Sequence, residues 1–124
     1  MANKLELTWF GKDEPMHIEP RLLIENTELS NTAADPDTEN ILIHGDNLLA
    51  LKALESKYAG QVKCIYIDPP YNTGEAFDEY DDNVEHSTWL QLMRDRIKLL
   101  WSLLKEDGVI KTKLKYLNDV SHLK

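Results

Sequence analysis

The sequence contains a single cysteine, Cys64, in 124 residues, which excludes an internal disulfide. Cys64 lies in an apolar run and is expected to be a small core residue. No group of His and Cys has metal-ligand spacing, so no structural zinc is expected. No run of about eighteen apolar residues occurs, so no membrane span is indicated. The first residues carry no apolar signal core, so secretion is not expected and the chain is placed in the cytoplasm. Glycine is also sparse. Gly11, Gly45, Gly60, Gly74 and Gly108 form no Gly-x-Gly, so these residues contain no glycine-rich turn of that kind. Positive charge is short as well. Lys and Arg number 14 against 22 acids, a formal net charge of -8. Modules that bind nucleic acid usually present a basic face, because neutralising phosphates supplies much of the affinity. The balance therefore argues against DNA binding by this chain alone. Between Tyr71 and Met93 stand Glu75, Asp78, Glu79, Asp81, Asp82 and Glu85, with no Lys or Arg. Any action on DNA needs positive surface from elsewhere.

What is present centres on Cys64-Ile65-Tyr66-Ile67-Asp68-Pro69-Pro70-Tyr71-Asn72-Thr73-Gly74. Residues 62–67 are rich in β-branched and aromatic types and read as a buried strand. Proline has no N–H for a sheet and biases the residue before it toward extended geometry, so the strand should stop at Asp68. A carboxylate, a stiff turn and a tyrosine then stand at the strand's carboxyl end, the edge where open α/β sheets bind ligands. A plain turn explains a bare Asp-Pro-Pro about as well.

Residues 1–39 are polar and weakly periodic, and read as an arm that packs onto a neighbour or is partly disordered. Leu5 to Trp9 alternates as a short strand would. Residues 40–44 read as a short buried strand beside the 62–67 strand. Gly45-Asp46-Asn47 turns the chain, with Asp46 a good helix N-cap. The helix should run to about Tyr58, with Gly60 as its stop. Strand, helix and strand of this length should be parallel. Residues 72–85 form a long acidic loop. A second helix is expected from about Ser87, with Thr88 and Gln91 as a capping box. Leu90, Met93, Ile97, Leu100, Trp101 and Leu104 fall on one helical face. Lys105 suits the last turn, Gly108 the stop, and Val109-Ile110 a third strand. Residues 111–124 are a divergent basic tail. Three strands and two helices leave a sheet face and an edge uncovered, which favours self-association.

Asp68-Pro69-Pro70-Tyr71 resembles the catalytic motif of DNA methyltransferases that modify adenine N6. The run through Asn72-Thr73-Gly74 is similar to the Mod subunits of type III restriction–modification systems. The similarity covers residues 5–110. It includes Leu7-Thr8-Trp9-Phe10-Gly11-Lys12, His44-Gly45-Asp46-Asn47-Leu48-Leu49, Glu85-His86-Ser87, Trp89-Leu90 and Met93-Arg94-Asp95-Arg96. Cytosine-N4 relatives more often carry serine where Asp68 stands.

The resemblance implies a partial, truncated Rossmann-like α/β sheet over residues 40–110, built of parallel strand–helix–strand units. It implies S-adenosylmethionine as cofactor, with Asp46 accepting from the cofactor's adenine amino group. The bland alternative for Asp46 is an N-cap and nothing more. Asp68 and the Pro69 carbonyl would hold the hydrogens of the target amine, Pro70 would stiffen the turn, and Tyr71 would stack on the flipped base. Asn72, Thr73 and Gly74 would line the base pocket. The implied partners are DNA, bound through regions missing here, a second Mod copy and a restriction subunit. The family's glycine-rich turn and DNA-recognition region are expected beyond Lys124. Three readings follow: a broken methyltransferase inactive alone, half of a split enzyme, or a non-enzymatic module that binds an intact Mod or restriction subunit.

Overall fold

A computed structural model describes residues 5–69 and 82–113. Its elements are α1 (Asn47–Tyr58), β1 (Val62–Ile67), α2 (Asp82–Leu103) and β2 (Leu104–Thr112). β1 and β2 form a two-stranded parallel sheet, with α2 as the crossover between them.

The local signals hold at α1. Asp46 is its N-cap, and the carboxylate accepts from the Leu48 and Leu49 amides. Gly45 before the cap has φ 155°, a conformation that side chains disfavour. Gly60 after the helix has φ 67°, the left-handed geometry that ends helices at glycine. β1 stops at Ile67, immediately before Asp68 and Pro69.

The second helix differs from expectation. α2 begins at Asp82, so Thr88 and Gln91 lie inside it and form no capping box. No proline or glycine in residues 82–86 opposes an earlier start. The helix ends at Leu103, which puts Lys105 and Gly108 in β2. Val62 pairs with Leu104 but Cys64 with Val109, so residues 105–108 bulge out before the regular register of Ile65 with Ile110 and Ile67 with Thr112. Gly108 serves this bulge through its lack of a side chain. A Cβ there would lie 2.7 Å from Leu104 Cγ and 3.0 Å from the Lys105 carbonyl oxygen.

The core is Ile65, Met93, Leu99, Leu100 and Leu103. The buried stripe of α2 is rotated from the expected one. Trp101 is 70% exposed and Ile97 is 43% exposed, whereas Leu99 and Leu103 are buried. α2 must face α1 and the sheet at once, and that choice of neighbours selects the stripe. Cys64 is exposed and is not a core residue. Alternation along β1 buries Ile65 on the helix side and turns Cys64 and Tyr66 to the other face. Among the described residues nothing buries that face, where Tyr66 is 66% and Val109 49% exposed.

Residues 40–44 form no strand, and neither do residues 5–9. Ile41 and Leu42 are exposed. The expected three-stranded arrangement is therefore two-stranded here, because neither segment finds a ladder partner.

Candidate functional site

α1 and α2 run in the same direction. Arg96 Nε donates to Asn47 Oδ1 at 2.7 Å, and Ser102 Oγ donates to Glu55 Oε1 at 2.8 Å, so the contacts advance in the same order along α1 and the C-terminal half of α2. The amides of Gly60 and Gln61 donate to the carbonyls of Ser102 and Leu103 at 2.9 and 3.0 Å, so β1 starts where α2 ends. β1 then runs back from that end, since α2 is the crossover between two parallel strands. Its carboxyl end at Asp68 thus lies toward the end of the molecule where Asp46 opens α1.

Both carboxylates are exposed. The two cap bonds on Asp46, at 2.9 and 3.1 Å, fall on Oδ1. Oδ2 remains an acceptor among the described residues. Among the described residues, a Cβ on the neighbouring Gly45 would meet nothing within 4 Å, so they leave the space beside the cap open. An acceptor at an open helix start suits the amino group of a purine, so the residue present fits the cofactor that the resemblance implies. Asp68 has one neighbour that the sequence reading missed. Lys113 Nζ lies 3.6 Å from Asp68 Oδ2, and its backbone N–H donates to the Ile67 carbonyl at 3.0 Å. The pair is 59% and 52% exposed and therefore weak. The signal was the parallel register: once Thr112 pairs with Ile67, residue 113 must stand beside residue 68. Pro69 is half-buried. Pro70, Tyr71, Asn72, Thr73 and Gly74 lie outside the described residues.

Glu55, at the interface of α1 and α2, is a shifted carboxylate. A hydrogen bond from Lys52 and a second from Ser102 keep Glu55 below its ordinary value of 4.5. Lys52 Nζ is 2.6 Å from Glu55 Oε2.

The DNA methylase family matches residues 62–119, a span that opens at β1 and includes Asp68, Pro69, Pro70 and Tyr71. Curated relatives agree. A protein of Haemophilus influenzae named as a probable type III restriction–modification HindVI Mod subunit is 46% identical over 67% of this chain and 11% of its own length. Residues 62–119 are thus similar to a DNA methylase, and the chain as a whole is similar to proteins named as type III Mod subunits. The EcoPI Mod subunit of Escherichia phage P1 is 32% identical over 84% of this chain and 21% of its own length. The type II methyltransferase M.EcaI of Enterobacter cloacae is 42% identical over 57% of this chain and 17% of its own length. The chain thus spans a small part of these relatives, between 11% and 21% of their lengths. The family match ends inside the basic tail.

Proposed function

We propose that this chain carries the catalytic edge of a Rossmann-like methyltransferase that modifies adenine N6 in DNA as part of restriction–modification. The observation that carries the reading is the abrupt end of β1. An apolar strand inside the family match delivers Asp68 and Pro69 to an open edge, with Asp46 opening α1 toward the same end.

The chemical problem is a poor nucleophile. The N6 lone pair of adenine is delocalised into the ring. Acceptors held on the amine's hydrogens favour its pyramidal form and free the lone pair. The Asp68 carboxylate and the Pro69 carbonyl are the two acceptors. Pro69 and Pro70 stiffen the turn that aims them. Tyr71 stacks on the extruded base, with Asn72, Thr73 and Gly74 around it. S-adenosylmethionine, when bound, supplies an electrophilic methyl group, and Asp46 is the residue that would hold its adenine amino group. DNA, a restriction subunit and a second Mod copy are the partners that this reading assigns, with positive surface supplied from outside these residues.

Calorimetric titration of S-adenosylmethionine into the purified chain tests the cofactor half, with Asp46→Ala and Asp68→Ala as controls. The expected result is binding that Asp46→Ala weakens and Asp68→Ala retains. Asp68→Ala should abolish transfer of labelled methyl to DNA in an assay where a separate chain supplies the positive surface that these residues lack. A folded sample that takes up no cofactor would sink the reading for this chain by itself and favour a partner-binding module.

A further inference from the structure

One turn of α2 grips two other parts of the molecule. Gln91 Oε1 accepts from Trp9 Nε1 at 3.3 Å, and Gln91 Nε2 lies 3.5 and 3.4 Å from the two oxygens of Asp95. Arg94 pairs with Asp95 at 2.8 Å, and the two side chains are only 11% and 14% exposed. Arg94 also donates to the Lys12 carbonyl and to the Glu14 carbonyl at 2.9 Å. The arm is thereby strapped to α2 through its own backbone, at the turn where Gly11 takes φ 83°. Arg96 reaches the other way. It donates to Asn47 Oδ1 at 2.7 Å and to the Leu92 carbonyl at 3.1 Å. Asn47 is the first residue of α1, next to Asp46.

We propose that Arg96 is a positioning residue for the Asp46 carboxylate, and that the strapped arm stiffens the α2 turn from which it acts. The importance of this role rests on the reading of Asp46 as the cofactor's acceptor. The Leu92 carbonyl fixes the plane of the guanidinium, so Nε is aimed at Asn47 by a rigid fork that a flexible ammonium lacks. Holding Asn47 holds the first turn of α1, whose Leu48 and Leu49 amides orient Asp46 Oδ1. Oδ2 is then presented in one direction. Arg94, tied to Asp95 and to the Lys12 and Glu14 carbonyls, anchors the same stretch of α2 to the arm.

Amide hydrogen exchange on the whole chain tests this without requiring cofactor. Arg96→Ala should speed exchange at Leu48 and Leu49 roughly fivefold, the weight of one net hydrogen bond. The Ile65 amide in the core should exchange as before. Asn47→Ala should give the same acceleration, and the double variant no more than either alone. Arg96→Lys should restore only part of the protection, and Arg94→Ala should give a smaller acceleration together with release of residues 9–14. S-adenosylmethionine affinity should fall with Arg96→Ala by the same factor as the exchange rises. Unchanged Leu48 and Leu49 exchange in Arg96→Ala overturns the positioning role. Accelerated exchange in a chain that binds no cofactor keeps that role and sinks the cofactor reading of Asp46 instead.

Discussion

Residues 40–44 and residues 62–67 are written in the same chemical language. Each is a short apolar run that ends near an acid and a conformationally special residue, Gly45 in one case and Pro69 in the other. Only the second is a strand. β1 has β2 beside it in parallel register and Ile65 buried, whereas Leu42 is 98% exposed. The difference teaches that an apolar run becomes a strand only when another segment pairs with it. Backbone N–H and C=O groups in a lone extended segment bond to water as readily as to protein.

The largest test of this contrast is packing. Leu99, 2% exposed, should cost about 2–4 kcal/mol when cut to alanine. Leu42→Ala should change stability by less than about 0.5 kcal/mol. Urea denaturation of both variants checks the pair, and equal effects would mean that residues 40–44 are packed after all. Next comes Gly108→Ala, at the bulge that lets β2 reach its register. The Lys105 carbonyl is backbone and yields little, so a loss of about 1–3 kcal/mol is expected in the same experiment. Asp46→Ala should remove about 1 kcal/mol of capping, while Asp46→Asn should lose only part of it. That comparison separates capping from cofactor binding, since an amide keeps the cap but offers the cofactor no charge.

The smallest effect is at Glu55. Its folded value is depressed, so its contribution is present above the unfolded value near 4.5 and is lost as pH falls through the folded one. Thermal melts below about pH 5 should therefore fall less steeply for Glu55→Gln than for the unchanged chain. Parallel slopes would show that the Lys52 and Ser102 contacts add nothing in solution.

Sequence alone determined what a few neighbouring residues can settle. The cap at Asp46, the stop at Gly60, the end of β1 before Pro69 and the motif that marks the family all depend on side-chain chemistry within one turn or one peptide unit. Tertiary structure decided what depends on a partner far along the chain. It chose Leu99 and Leu103 over Ile97 and Trp101 for burial, left Cys64 exposed, denied residues 40–44 a ladder and set Lys113 beside Asp68. Periodicity says that a helix has an apolar side. It does not say which neighbours will cover it, because that is fixed by the register of β1 on β2 and by the packing of α1 on α2.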